Sequence, residues 1–345
     1  MLAIGQTRFN DPALLTLPEP GNLREGEIRV RMSLSPIGVA EVRALEGHRL
    51  KLVGQIVDED HPFIFGFAGV GTIDDPGQSD LQPGQRVLVA PYNSCGECAA
   101  CLAEDEIECP NPNGLSGIDV HTPGLMREYV VVRSQWVLPL PEGISDEEGC
   151  YVSEAATAVH LLRRVKLKPD QTIAVVGCGR HGQQTILVAK AMGAKNVLGL
   201  DPSSASLEAA LACGADEVIE APDCRTGYDV VIHCNSFLET LGTCCDLARV
   251  GGTIGLLGTP EMDHPNAEIK EFTRRVLETE RLLVASRSKG TASFRVAINL
   301  MKNGMSLKIK NSQTVSMSQA PQQFMKTLAE WPEGRPTFVD LRTGE

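Results

Sequence analysis

Two groups of residues have the types and spacing to do chemistry. The first is Gly177-Cys-Gly179-Arg-His-Gly182, with Asp201 placed 19 residues beyond the third glycine. In that pattern the first glycine permits a tight turn and the second lets the backbone approach a pyrophosphate. The third lets a helix pack closely on a strand. A helix opening at this turn presents free N–H groups and its positive dipole end to phosphates. Asp201 is placed to accept hydrogen bonds from the adenosine ribose hydroxyls and to repel a 2′-phosphate, which favours NAD over NADP. Arg180 and His181, inside the turn, are expected beside the phosphates. Cys234, Asn235 and Gly258, just past later strands of the same unit, complete the expected cofactor set.

The second group is Cys95-x2-Cys98-x2-Cys101-x7-Cys109. Four thiolates this close in sequence can surround one tetrahedral metal, and an all-sulfur shell suits zinc. Four protein ligands leave no open position, so the expected ion is structural. An iron–sulfur cluster is the alternative metal reading. Four free thiols without a metal would invite oxidation.

The elements around these groups change in texture along the chain. Up to about residue 145 the sequence reads as β-rich. Glu27 to Ser33 alternates with period two, Met126 to Val132 does so in part, and Arg86 to Ala90 follows a Pro-Gly turn. Phe63 to Ile73, with three glycines, reads as one bent strand. From about 146 strands and helices alternate. Thr172 to Val176 and Asn196 to Leu200 flank the glycine turn and its helix. A helix from Ser206 to Cys213 and strands 217–219 and 229–232 follow. A helix from Leu238 to Ala248, a strand from Thr253 to Leu257, a helix from Ile269 to Leu277 and a strand from Leu282 to Ala285 complete the pattern. Six strands with helical crossovers predict a parallel sheet covered on both faces. A helix from Ala292 to Lys302 and short strands close the chain. The expected domains are 1–145 with 290–345, and 146–289 as the nucleotide-binding unit.

The totals bound the partners. A chain of 345 residues with 42% apolar and 22% charged residues reads as an ordinary globular protein. A net charge of −12 argues against nucleic acid or an anionic membrane as partner. No apolar run approaches the ~18 residues of a membrane span, and the first residues lack a signal-peptide pattern. Eleven cysteines in such a chain point to a reducing, cytoplasmic setting.

Together, the β-rich start with its four-cysteine lobe, the dinucleotide unit and the returning C-terminus resemble the medium-chain, zinc-type alcohol dehydrogenases. The polyol and threonine dehydrogenase branch is the nearest likeness. Arg24-Glu-Gly-Glu-Ile-Arg-Val-Arg31, the cysteine lobe, Pro123-Gly-Leu-Met-Arg-Glu-Tyr-Val130 and Val176-Gly-Cys-Gly179 fall in family order. The resemblance implies an α/β protein: a GroES-like β-rich catalytic domain plus a Rossmann, doubly wound, six-stranded parallel sheet. It also implies a homodimer or homotetramer formed through the edge strand from Leu282 to Ala285.

The same resemblance implies a second, catalytic zinc held by a cysteine, a histidine and a glutamate or cysteine. Two of those three places depart here. Gly38 stands at the cysteine position and Ala40 at the proton-relaying Ser or Thr. Pro62-Phe-Ile-Phe-Gly66 runs directly into Phe67-Ala-Gly69, so the His-Glu pair is missing. Glu154, in Val152-Ser-Glu154, matches the retained glutamate. The expectation is therefore a zinc-free reaction centre. A site rebuilt from Glu154 with His48, His61 or Glu41 is the alternative.

Without a Lewis acid, protein groups must stabilise developing charge, or the substrate must already be electrophilic. The candidates are Glu154, Glu41, Arg43, Tyr92 and Asn93. Arg43 stays protonated, so it can bind an oxyanion but cannot shuttle protons. The expected function is NAD(H)-dependent hydride transfer to or from a polyol-like small molecule. Reduction of an activated double bond is the alternative within enzymes, and an NAD-binding sensor the alternative outside them.

Overall fold

The computed structural model describes residues 1–47, 50–51, 54–91, 94–103, 106–110, 117, 122, 124–222, 225–235, 237–257, 267–286, 290–307, 311–330 and 335–342. The chain forms two compact units. One comprises Met1–Ser153, Gly290–Arg295 and Ile309–Glu345, and the other Glu154–Lys289 and Val296–Lys308.

The second unit grows from the strand Thr172–Val176, a β-branched run whose Ile173 to Val176 are fully buried. A strand apolar on both faces must be covered on both faces, and parallel neighbours joined by helices do this. Six parallel strands follow in the order Glu217–Ile219, Asn196–Leu200, Thr172–Val176, Tyr228–His233, Ala248–Leu256, Leu282–Ala285. The strand order therefore reverses between Thr172–Val176 and Tyr228–His233, and the crevice at such a reversal is where open α/β sheets bind ligands.

In the first unit, a seven-stranded sheet is organised on the 11-residue strand Glu27–Ile37. This strand pairs with Gly69–Asp75, Tyr129–Arg133 and the C-terminal Thr337–Asp340. A three-stranded sheet is formed by Pro12–Thr16, Leu2–Gln6 and Phe63–Ile64. Phe63, Phe65 and Phe324 stack within a common core with Ile4, Met32 and Leu125.

Several sequence expectations need correction. The segment from Phe63 to Ile73 is not one bent strand but two, Phe63–Ile64 and Gly69–Asp75, in different sheets. The break is at Gly66, whose φ of +108° excludes most side chains and whose Cβ would collide with the Met126 amide. The helix expected from Leu238 to Ala248 is Thr240–Leu247, and Ala248 already begins a strand. That nine-residue strand starts five residues ahead of the expected Thr253 and takes in Val250-Gly-Gly252, where an irregularity pairs Ala248 with Tyr228 and Thr253 with Val230, with Gly251 at φ +67°. The helix after Asp201 is Ser204–Ala212, because Ser203 caps it earlier than the apolar pattern suggests.

A remote carboxylate starts another helix. Glu106, 8% exposed, accepts the backbone N–H of Thr291 at 2.6 Å and also its hydroxyl. It thereby satisfies the N-terminus of Thr291–Lys302 in the way a neighbouring cap residue otherwise would.

Candidate functional site

At the C-terminal end of Thr172–Val176 the chain turns through Gly177 at φ +96°, its amide bonded to the Leu200 carbonyl at 2.8 Å. A Cβ on Gly182 would collide with the Gly177 carbonyl oxygen, so the helix Arg180–Ala191 can seat only on a glycine here. A Cβ on Gly179 would instead meet nothing within 4 Å. That residue is the helix N-cap and offers no side-chain acceptor. Open space at Gly179 therefore lies in front of the N-terminus of this helix, the side from which an anion would approach. Arg180 and His181 occupy the first turn of that helix.

Asp201 lies where the motif requires. Its Oδ2 accepts the Cys178 amide at 2.7 Å and its Oδ1 the Ser203 amide at 2.9 Å. A carboxylate has about four acceptor positions, so lone pairs remain for two ribose hydroxyls. Cys178, buried under the turn, packs toward Gly199, and burial pushes its thiol up to about 12. It is a packing residue, not a nucleophile.

Across the strand reversal, the Cys234 amide donates to the Val176 carbonyl at 2.8 Å. The Cys234 thiol, raised to about 12 by burial, sits 3.6 Å from Thr185 Oγ1. Asn235 packs against Gly177. His233 and Thr240, which sequence reasoning passed over, join Asn235 in a hydrogen-bonded group behind this wall. A histidine directly after the strand expected over 229–232 was the available signal. Gly258 lies outside the described residues.

Glu154 and Arg180 meet beside the turn. Glu154 sits in the helix Asp146–Arg164 with its side chain 16% exposed, and its Oε1 lies 3.4 Å from Arg180 Nη1. Its Oε2 is buried with no hydrogen-bond partner among the described residues. An unmatched buried carboxylate oxygen is costly, so this atom is placed to accept a ligand donor.

Glu41 behaves differently from its sequence reading. It is 3% exposed and neither solvated nor available. One oxygen accepts the amide of Gly38, the N-cap of Val39–Leu45, at 2.9 Å, and the other accepts the amide of Phe67 at 2.8 Å. Arg43, half-buried, ends the same helix. Tyr92 and Asn93 lie outside the described residues, as does His48. His61 is exposed and bonded to Asp58, and among the described residues it joins no converging group of metal-ligating side chains.

The four cysteines converge. The Sγ atoms of Cys95, Cys98, Cys101 and Cys109 lie within 4.8 Å of one another, with neighbouring pairs at 3.4, 3.5 and 3.8 Å. A tetrahedron of Zn–S bonds of about 2.3 Å has edges of about 3.8 Å, so the geometry fits one zinc. Amide N–H groups of Glu97 and Cys98 pull the Cys95 thiol down to about 6, which favours the thiolate a metal needs. Among the described residues no other group of metal-ligating side chains converges in this way.

Comparison with known proteins assigns the architecture. Residues 24–142 match the alcohol dehydrogenase GroES-like domain family, and residues 182–303 match the zinc-binding dehydrogenase family. The chain belongs to the zinc-type alcohol dehydrogenases. It is an oxidoreductase of that medium-chain family. The sorbitol dehydrogenase of Bacillus subtilis is 28% identical over 261 residues, 72% of each chain. A probable D-xylulose reductase A of Aspergillus clavatus is 25% identical over 351 residues, covering 94% of this chain and 92% of its own. Among solved structures, galactitol-1-phosphate dehydrogenase of Escherichia coli superposes with a TM-score of 0.83 at 19% identity, covering 99% and 100% of the two chains. An Escherichia coli CFT073 alcohol dehydrogenase solved with NADH gives 0.83 at 21%, covering 99% of each. These likenesses carry the fold: a GroES-like unit and a Rossmann unit.

Gly38 and Phe67, at the two places where the sequence departs from the expected ligand pattern, are joined by the Glu41 carboxylate through their amides.

Proposed function

We propose that this protein is an NAD(H)-dependent dehydrogenase or reductase of a polyol-like alcohol or ketone, working without a catalytic zinc. The observation that carries the reading is the glycine turn at the strand reversal, open over Gly179 and flanked by Asp201. The names of the sorbitol and xylulose relatives support the substrate class. Zinc independence is supported by Gly38, by the missing His-Glu pair and by the amide-bonded state of Glu41.

Bound nicotinamide supplies or accepts the hydride. The chain's part is to hold it. First-turn N–H groups of Arg180–Ala191 and the Arg180 guanidinium take the pyrophosphate, and Asp201 takes the ribose hydroxyls and excludes a 2′-phosphate. Glu154 keeps Arg180 oriented through one oxygen and leaves the other, Oε2, for a donor on the bound cofactor or substrate. Glu41 takes no part in proton transfer, because both of its oxygens are committed to backbone amides. The four cysteines hold a structural zinc that stiffens their lobe.

The exposed leucines of Leu282–Ala285, with Leu282 60% and Leu283 44% exposed on the sheet edge, support self-association through that edge. Among the described residues no helix is long and apolar enough to cross a membrane.

The test is NADH binding by fluorescence followed by turnover on a panel of polyols, ketones and conjugated enones. Binding with polyol or ketone turnover supports the proposal. Binding with turnover of enones alone transfers the reading to double-bond reduction. Binding with no turnover makes the protein a sensor, and no binding removes the nucleotide assignment.

A further inference from the structure

The wall facing the glycine turn contains a side-chain network that the mechanism above does not use. His233 ends the strand Tyr228–His233 and is 2% exposed. Its Nε2 lies 2.8 Å from Thr240 Oγ1 and 3.1 Å from the Phe237 carbonyl oxygen. The Thr240 hydroxyl is also 3.0 Å from Asn235 Oδ1, and that oxygen accepts the Phe237 amide at 2.9 Å.

The Thr240 hydroxyl also lies 2.8 Å from the Phe237 carbonyl oxygen, so the His233 ring nitrogen, that hydroxyl and the carbonyl form a compact triangle joined to Asn235 Oδ1. Burial lowers the His233 pKa, keeping the ring neutral near neutral pH. On its far side Asn235 reaches the turn itself. Its Cβ lies 3.0 Å from where a Gly177 side chain would begin, and its Nδ2 is 3.5 Å from the Val176 carbonyl oxygen. A continuous series of contacts therefore runs from His233 through Thr240 and Asn235 to the first glycine of the motif.

We propose that His233 is a positioning residue for the dinucleotide, holding Asn235 and Thr240 in register with the glycine turn. The inference rests on the proposed NAD(H) site and adds a determinant that lies outside the glycine motif. A histidine suits this place because it supplies a buried polar nitrogen from a rigid ring. An apolar residue of similar size would leave Thr240 Oγ1 without that partner, although the Phe237 carbonyl would keep the Thr240 hydroxyl and amide.

Fluorescence titration of the full chain with NADH tests it, beginning with the wild type. Absence of wild-type binding defeats the nucleotide assignment itself, and the inference falls with it. Given wild-type binding, His233→Leu is expected to raise the NADH Kd about ten-fold, the size of effect that follows from one or two buried hydrogen bonds. At saturating cofactor, kcat should stay within about three-fold. His233→Gln, whose amide can replace the polar ring nitrogen, should recover most of the affinity. Thr240→Val should weaken binding similarly, and combining it with His233→Leu should add little. An unchanged Kd in a folded His233→Leu protein overturns the proposal, as does a fallen kcat with an unchanged Kd. Should His233→Leu fail to fold, Thr240→Val decides: an unchanged Kd there overturns the proposal equally.

Discussion

Glu41 accepts the backbone N–H of Phe67 at 2.8 Å across 26 residues of chain, while its other oxygen accepts the amide of Gly38. A buried carboxylate with both oxygens on backbone donors fixes two segments at once. Glu41→Ala should destabilise the protein by about 2 kcal/mol, since two buried amides lose a charged acceptor. Glu41→Gln, which keeps one acceptor oxygen, should cost less. Thermal denaturation at neutral pH measures both, and an unchanged midpoint for Glu41→Ala would refute the clamp.

The thiolate lobe should bind one zinc per chain. Elemental analysis is expected to find one ion that mild chelation leaves in place, and Cys109→Ser should release it and lower the melting temperature. A second, labile zinc whose loss tracks with activity would contradict the zinc-free reaction centre.

The glycine turn makes two separable predictions. Gly182→Ala places a methyl group on the Gly177 carbonyl, so NADH binding should be lost. Asp201→Ala removes the acceptor for the ribose hydroxyls and the repulsion of a 2′-phosphate, so the preference for NAD over NADP should shrink about ten-fold or more. A preference left intact, measured by parallel titrations of NADH and NADPH, would count against the role given to Asp201.

How much of this was legible in the sequence depended on whether the signal was local. The turn from Gly177 to Gly182, Asp201 and the four cysteines are short-range patterns with one mechanical reading each, and the structure brings each group together. Long-range hydrogen bonding was not legible. Glu41 reads as a candidate for charge stabilisation or for a rebuilt metal site, and nothing nearby announces that the Phe67 amide will arrive beside it. His233 falls just past the strand expected over 229–232, and nothing there announces that Thr240 will fold back onto it. Nothing in Gly251-Gly252 shows that the strand expected from Thr253 will start at Ala248 and carry an irregularity there. The missing His-Glu pair was visible in the sequence, but what replaced its structural role was not.

His233 also gives the fold a pH dependence of definite sign. Burial lowers its pKa in the folded state below the ordinary value of about 6.5. Between the two values the unfolded chain binds more protons, so stability is fully present above about 6.5 and is lost as pH falls through that window. Denaturation at about pH 7.5 and about pH 5.5 should show a smaller loss in His233→Gln than in wild type. Equal losses would mean that the histidine titrates as if unfolded.

The carboxylate of Glu106 serves a helix that begins 185 residues later, and the C-terminal strand Thr337–Asp340 lies inside the first unit's sheet beside Glu27–Ile37. On the ribosome, then, the half of the molecule made first must wait for the half made last. The Rossmann strands are all made by Ala285, and in a released chain truncated after residue 308 that unit is expected to resist protease while the leading segment stays open to cleavage. The order of synthesis and the order of completion run in opposite directions.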